Sequence, residues 1–258
     1  MIRELAALGE AMRPELLGWA LASMRVLPVV LLCPALGGQL APVPVRMVVA
    51  GSLGLVLRPL TRSLPSAWLE ALACCGREAA VGLLIGLSAA LPFDAARIGG
   101  RLVDLVRGTS AEAALPVAGH RESASADVLF QLLLAMALAG GAVPRMIRVL
   151  GRSMVLLPPG LAPVGGDAGL AMAGAVGVAL ATGLAVAAPV IALSSATDAA
   201  VGLVLRSAPG LSLGELGTPV RILGGATVLW LSLGLVADRL LAGVLAPETS
   251  FLRTVLGP

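Results

Sequence analysis

Charge is scarce in this sequence. Only 13% of its 258 residues are charged, whereas 58% are hydrophobic. A soluble domain of this size carries about a quarter charged residues and about half apolar ones. The shortage of charge, together with a mean hydropathy of +0.97, excludes an ordinary soluble protein and indicates an integral membrane protein.

Lysine is missing altogether, and all 18 basic residues are arginine. The arginines are spread along the chain, and no stretch gathers them into a basic tract. Proteins that bind nucleic acid concentrate positive charge on one face or in one segment. The sequence therefore gives no support to a nucleic-acid partner.

Residues that usually carry chemistry are also few. His120 is the single histidine, and it has no cysteine or histidine at metal-ligand spacing. Cys33, Cys74 and Cys75 lie in apolar segments, which predicts small core residues rather than ligands or a disulfide. No nucleophile-elbow, P-loop or metalloprotease motif occurs. We expect no metal, no cofactor and no enzymatic activity.

The N-terminal residues lack the features of a cleaved signal peptide. They carry Glu4, Glu10 and Glu15 among the arginines, and they contain no short apolar run that ends at a small-residue cleavage site. We therefore expect the chain to be inserted by its own first hydrophobic helix.

What the sequence has instead is a series of apolar segments separated by proline, glycine and arginine. Because about twenty apolar residues cross a bilayer as a helix, the series predicts an all-α, polytopic membrane fold with hairpins and broken helices. The segments are 16–36, 45–57, a long helix from Ala67, 128–143, a short helix after Pro144 with Arg145, Arg148 and Arg152, 168–197 with a kink or end at Pro189, and 220–244. The three arginines of the short helix are the best indication in the sequence of which end of a segment faces the cytoplasm.

A non-helical stretch is predicted before the last segment by Asp198, Arg206, Pro209 and Pro219.

Several charges fall inside these segments. Arg25 lies in the first one, and a charge at mid-membrane costs about 2.5–3.5 kcal/mol, so Arg25 should face protein or water rather than lipid. In the third, Glu70 and Arg77 share one helix face, and Glu78 follows directly. We expect Arg25 and the Glu70/Arg77 pair to have polar or charged partners inside an assembly of subunits.

A polar and irregular stretch interrupts the apolar pattern from Gly99 to Ser125. Gly108 ends a helical pattern there, and small, polar or turn-forming residues follow. Four charges spaced 3-4-3 share one side of the preceding helix, a face that needs water or polar partners: Asp94, Arg97, Arg101 and Asp104. On the residues alone, an ordinary solvent loop and a functional segment both stay open.

Small residues recur every four positions within 168–197, in two rows. One row is Gly169, Ala173, Gly177, Ala181 and Ala185, and the other is Ala171, Ala175, Ala179, Gly183 and Ala187. Such rows let helix backbones approach closely. Packing within the chain explains one row, and the second points to another subunit.

Ordered landmarks along nearly the whole chain resemble the SctT/FliR family of type III secretion export-apparatus proteins. They are GRLVDLVRG at 100–108, Pro116, Gly140-Gly141, Ser153 and PPG at 158–160, with Arg25, Pro28, 42–46, Glu78, Gly82, Ala188-Pro189, Asp198, Gly202, Arg206, Pro209, Gly217, Pro219 and Arg221. The chain departs from the family pattern after Pro209, where Gly210, Ser212 and Gly214 replace a Gln, an Asn and an aromatic residue. Polar contacts that those side chains make in relatives are not carried over.

The resemblance implies a subunit of the export gate in the bacterial inner membrane, surrounded by lipid and assembled with SctR/FliP-like, SctS/FliQ-like and SctU/FlhB-like subunits into a closed helical cone. It would form part of the wall and plug of a conduit for unfolded secretion substrates. A single domain would span 1–258, with N-terminal helices at 1–107, a plug-like loop at 108–126 and C-terminal helices at 127–258. The departures after Pro209 favour an injectisome over a flagellum.

Two sets of site residues follow. The resemblance implies that the plug or gate contains Gly108, Thr109, Ser110, Pro116, Gly119 and His120. The charges expected to be buried or to contact other subunits are Arg25, Glu70, Arg77, Glu78, Arg101, Asp104, Asp198 and Arg206.

Two other functions stay open. A small-molecule or ion transporter would place its site between related broken helices, and Pro28 and Pro189 are the features that suggest such breaks. An intramembrane hydrolase would need Asp198 and Asp238 to share a proton. We expect instead that each aspartate pairs locally with an arginine, as Arg239 beside Asp238 allows.

Overall fold

The computed structural model describes residues 2–57, 68–108, 112–114, 121–159, 167–207 and 214–245. Within those ranges seven α-helices account for nearly all residues, which confirms the predicted all-α class. A short 3-10 helix, Pro34–Leu36, and two three-residue strands, β1 (Glu112–Ala114) and β2 (Arg121–Ser123), complete the order. The helices are α1 (Ile2–Leu32), α2 (Val43–Leu57), α3 (Trp68–Arg107), α4 (Ala124–Ala139), α5 (Ala142–Leu156), α6 (Asp167–Ser207) and α7 (Gly214–Leu245).

Four of the described helices are long and apolar enough to cross a membrane. The spans are Pro14–Leu32, Trp68–Arg107, Ala168–Ser207 and Pro219–Val244, and α4 and α5 pass the same test only as a pair. The chain is therefore a polytopic membrane protein. At 1.5 Å per residue α3 and α6 are each about 60 Å long, twice the hydrocarbon thickness of about 30 Å, so part of each lies outside the hydrocarbon.

Two helices run through prolines at which the sequence suggested breaks. α1 contains Pro14 and Pro28, and α6 continues through Pro189 as far as Ser207. The expected non-helical stretch is thus wrong at three of its residues: Asp198 and Arg206 belong to α6 and Pro219 to α7, and Pro209 lies outside the described residues. A proline removes one helical hydrogen bond, but ending the helix in an apolar environment would leave several backbone groups without partners. Continuing the helix is the smaller cost.

The boundary between α4 and α5 is set by glycine rather than by Pro144. α4 ends at Ala139, and Gly141 adopts a φ of +77°, a left-handed conformation that only glycine adopts without steric cost. α5 then begins at Ala142, two residues before the expected start.

The described residues divide between two compact units, each made of stretches from both sides of the polar interruption. Unit 1 draws on Met1–Ala90, Leu138–Ala175 and Leu245–Pro258, and unit 2 on Leu91–Ala137 and Val176–Val244. That the whole chain acts as one domain stays a prediction.

The core of unit 1 joins α1, α2, α3 and α5. It is built from apolar side chains at helical spacing, including Val26, Val29 and Val30 of α1, Ala50 of α2, Val81 and Ile85 of α3, and Met146, Leu150 and Met154 of α5. Cys33 is buried in the same cluster, and Cys74 and Cys75 are half-buried on α3. All three are free thiols.

Close approach of α1 and α3 depends on two glycines one turn apart on α3. A Cβ atom on Gly82 would collide with the backbone carbonyl of Arg25, and one on Gly86 would lie 2.9 Å from the carbonyl oxygen of Pro28. Small residues spaced four apart are what allow helix backbones to meet in this way.

Within unit 2 the two rows of small residues differ in burial. Ala179, Gly183 and Ala187 are buried, and a Cβ on Gly183 would lie 3.0 Å from the carbonyl oxygen of Ala95 in α3. Gly177 and Ala181 of the other row are exposed. One row therefore serves packing within the chain, as expected.

Gly82→Ala should destabilise the protein, because the added methyl group would meet the backbone of Arg25 and push α1 away from α3. Overpacking of this kind costs about 1–3 kcal/mol. Gly76 lies on the same helix with open space around it, so Gly76→Ala is the matched control and should be neutral or stabilising by up to about 1 kcal/mol. Thermal unfolding of the detergent-extracted protein measures the difference. Equal midpoints for the two variants would contradict the close contact.

Candidate functional site

The predicted plug begins where α3 ends, at Gly108. This residue adopts a φ of +70°, and its N–H donates to the carbonyl of Leu105 at 3.2 Å. A glycine in the left-handed conformation is a common helix terminator, and the predicted helix end is confirmed. The other predicted plug residues lie outside the described residues: Thr109, Ser110, Pro116, Gly119 and His120.

The described parts of this segment contain paired strands where the sequence indicated irregular structure. β1 and β2 run antiparallel, with Glu112 opposite Ser123 and Ala114 opposite Arg121. Strands of three residues are too short to show an alternating apolar pattern, so periodicity could not predict them. We use the name hairpin for the segment 108–123, of which the structure describes Gly108, β1 and β2.

The two helices that flank the hairpin are joined by one carboxylate of α3. Asp104, in the last turn of α3 and only 5% exposed, accepts hydrogen bonds from the Ser125 N–H (2.9 Å to Oδ2) and from the Ser125 hydroxyl (2.6 Å to Oδ1). The Ser125 N–H belongs to the first turn of α4, where helical N–H groups have no partner within the helix and a negative charge is favourable. Asp104 therefore caps α4 from a different helix.

The helices around this cap are in tight contact. A Cβ on Gly100 of α3 would collide with the backbone of Ala126 in α4. Arg107 lies 3.5 Å from Asp104 and donates to the carbonyl of Ile222 in α7 at 3.0 Å. α3, α4 and α7 thus form a packed base for the hairpin. Arg107 was not among the predicted site residues, because only its contact with α7 distinguishes it from other arginines.

A second polar cluster lies in unit 1 around Arg25, which is fully buried. Its guanidinium donates to Glu78 of α3, with Nε 2.6 Å from Oε2. Nη1 donates to the carbonyl of Ser153 at 2.8 Å and Nη2 to the carbonyl of Leu157 at 2.9 Å, at the end of α5. Glu78 is also fully buried. The protein itself thus neutralises and solvates a charge within the span Pro14–Leu32.

The remaining predicted charges lie at the surface of the chain. Glu70 and Arg77 are exposed on α3, so the buried partner of Arg25 is Glu78 and does not come from that pair. Arg101 is exposed on α3 and Arg206 on α6.

The two aspartates of the hydrolase alternative are not brought together. Asp198 of α6 forms an ion pair with Arg221 of α7, so its expected pairing with a local arginine is corrected to a contact between two helices. Asp238 lies about 25 Å further along α7 than Arg221 at 1.5 Å per residue. A shared proton needs two carboxylates in contact, which this separation prevents. No cluster of three potential metal ligands occurs in the described part of the chain.

Comparison with known proteins identifies the family. Residues 16–245 match the family described as bacterial export proteins, family 1. The chain belongs to this family. It is the SctT/FliR family of type III export proteins, which confirms the resemblance seen in the sequence.

Individual relatives are flagellar biosynthetic proteins named FliR. The chain is 32% identical to FliR of Pectobacterium carotovorum subsp. carotovorum over 157 residues, which is 60% of each chain. It is 27% identical to FliR of Caulobacter vibrioides over 223 residues, 84% of this chain and 89% of the relative, and 26% identical to FliR of Escherichia coli K12 over 217 residues, 83% of each. The match thus spans 60% of the length of the first relative. These relatives do not support the preference for an injectisome.

Removing one partner of the Arg25–Glu78 pair in this FliR-like protein should lower the free energy of unfolding by about 3–5 kcal/mol, because the other charge stays buried without a counter-charge. We expect Glu78→Ala and Arg25→Ala to abolish accumulation in the membrane, and the double variant Arg25→Met/Glu78→Met to recover part of it. Arg77 precedes Glu78 but is exposed, so Arg77→Ala is the control and should cost about 1 kcal/mol or less. Membrane abundance and thermal midpoint are measured. The same loss for Arg77→Ala as for Glu78→Ala would argue against the buried pair.

Asp104→Ala should loosen the base of the hairpin and leave the helices folded, since it removes a helix cap worth about 0.5–2 kcal/mol and no core side chain. Asp104→Asn retains one acceptor oxygen and is the conservative control. Limited proteolysis of the extracted protein should cut within the hairpin faster in Asp104→Ala than in Asp104→Asn or the parent. Identical cleavage rates in all three would show that the carboxylate does not hold the hairpin.

Proposed function

We propose that this chain is a subunit of a type III export gate in the bacterial inner membrane, where it forms part of the wall and plug of a conduit for unfolded proteins. The observation that carries the proposal is the hairpin between α3 and α4, two helices that the Asp104–Ser125 hydrogen bonds hold together. A plug needs a segment that changes position and a frame that does not. The contacts of Asp104 with Ser125 and of Gly100 with Ala126 supply the frame.

Other surfaces of the chain support assembly with further membrane subunits, which we propose to be SctR/FliP-like, SctS/FliQ-like and SctU/FlhB-like. The exposed row with Gly177 and Ala181 suits close contact with a neighbouring helix. Large apolar side chains of α7, such as Trp230 and Leu231, are mostly exposed and suit lipid or another subunit. The chain itself would act passively, with the driving energy supplied by other components.

We propose a flagellar apparatus rather than an injectisome, because the three relatives named above are flagellar proteins. The transporter alternative loses the feature that suggested it. Transporters of that kind place their sites at broken helices in two related halves, whereas α1 and α6 are continuous through Pro28 and Pro189.

Deleting residues 109–120 should leave assembly largely intact and let ions or small solutes leak across the membrane. The reason is that the Asp104–Ser125 and Gly100–Ala126 contacts lie outside the deletion, whereas the proposed plug lies within it. Ser110→Trp should instead hamper export without a leak, since a bulky side chain adds to the plug. Membrane conductance, export of flagellar proteins and swimming are compared with the parent at matched abundance of the complex. A deletion variant that assembles, does not leak and exports normally would make this segment an ordinary loop.

A further inference from the structure

One face of α2 continues beyond the part of unit 1 that covers it. Val43, Met47, Ala50, Gly54 and Leu57 follow one another at spacings of four and three residues, which places them on the same side of the helix. Ala50, Gly54 and Leu57 are buried, and a Cβ atom on Gly54 would collide with α1. Val43 and Met47, nearer the start of α2, are 53% and 48% exposed. The packing face of α2 is therefore open over its first turns among the described residues.

Arg46 lies on the same side of α2 as this open part of the face, next to Met47 and one turn after Val43. It is half-buried, and its Nε atom is enclosed without a hydrogen-bond partner. Buried polar groups in proteins nearly always have a partner, and a guanidinium that is withdrawn from water also needs a counter-charge. Arg46 therefore marks a place where the described part of the chain does not complete its own polar contacts.

Three other described arginines have an enclosed Nε atom of the same kind, but each of them uses the rest of its guanidinium. Arg97 lies over an aromatic ring, Arg107 donates to a carbonyl of α7, and Arg221 pairs with an aspartate of α6. In the described part of the chain the guanidinium of Arg46 has neither a hydrogen bond nor an ion pair. Arg46 thus differs from the others in needing a group from outside that part.

The surroundings of Arg46 favour an acidic partner. The first turn of α2 contains no acidic residue, and Pro42 before it has no side-chain oxygen that could cap the helix. The start of a helix carries partial positive charge, which adds to the charge of the guanidinium. A carboxylate accepts two parallel hydrogen bonds from a guanidinium and neutralises it. A lipid phosphate carries the same sign of charge, but the regular spacing along α2 is typical of a face on which another helix packs.

We infer that the first turns of α2 bind an apolar helix of another membrane subunit, which places an Asp or Glu on Arg46. We call Val43, Arg46 and Met47 the α2 patch. The inference rests on the proposed function, which supplies neighbouring subunits. It adds one surface at which such a neighbour binds and the chemical group that the neighbour brings.

Site-specific photocross-linking in the assembled complex tests the inference without altering Arg46. The photoreactive amino acid benzoylphenylalanine replaces Val43 in the α2 patch, or Val48 as the control. Val48 is 70% exposed but lies on the far side of α2 from the patch. On illumination of native membranes, the Val43 variant should give a product with another integral membrane subunit, attached close to an Asp or Glu of an apolar helix. The Val48 variant should not give that product.

Charge reversal then tests the ion pair itself. Arg46→Gln should lower the amount of that subunit recovered with the chain at least about tenfold, because the partner's carboxylate stays buried without its counter-charge. Arg77→Gln removes the same charge from an exposed position of α3 and should leave recovery unchanged. Arg46→Glu should abolish recovery, and replacing the carboxylate near the cross-link in the partner by arginine should restore it.

Two kinds of result would overturn the inference. A cross-link from Val43 only to phospholipid, only within this chain, or to nothing in an assembled complex would show that no other subunit binds the α2 patch. Unchanged recovery of the subunit with Arg46→Gln, at equal abundance of the chain, would show that no ion pair forms there. The proposed function fails separately, if no other membrane subunit is recovered with the parent chain.

Discussion

A charge within a membrane span must be neutralised by the protein, and in unit 1 this requirement fixes how three helices meet. Arg25 of α1 places its donors on Glu78 of α3 and on two carbonyls at the end of α5. Gly82 lets the backbones of α1 and α3 come close enough for this arrangement. Buried ion pairs add little net stability but penalise any packing that separates them. We interpret the pair as the contact that fixes the register of α1 against α3, since sliding α1 by one turn would leave both charges without partners.

The sequence predicted the class of the fold and several exposed or buried faces, but not the partners across them. Composition alone indicates a polytopic helical protein, because water-soluble folds need more charge. Which acidic residue meets Arg25 was not predictable, since Glu70 and Glu78 both lie in the third segment and the contact joins positions 53 apart in the chain. Asp198 shows the same limit: a local arginine was expected as its partner, and the structure pairs it with Arg221 of a different helix.

The polar side of α3 shows what spacing can and cannot predict. A 3-4-3 pattern correctly places the four charges on one helix face. It does not reveal that α4 contacts this face at Asp104, which is buried against Ser125, and at Arg97, whose guanidinium lies over the ring of Phe130, while Arg101 stays exposed. One helix face therefore contains both buried and exposed charges, and only the tertiary contacts distinguish them.

The cap at Asp104 also has an evolutionary consequence. Because the residues that enter and leave the hairpin are already held together, a longer hairpin adds only about 0.6 kcal/mol of closure entropy per doubling of its length. Insertions, deletions and substitutions within 109–120 therefore place little demand on the helices. The length and composition of this one segment are therefore free to diverge between relatives while the helices on either side keep their packing.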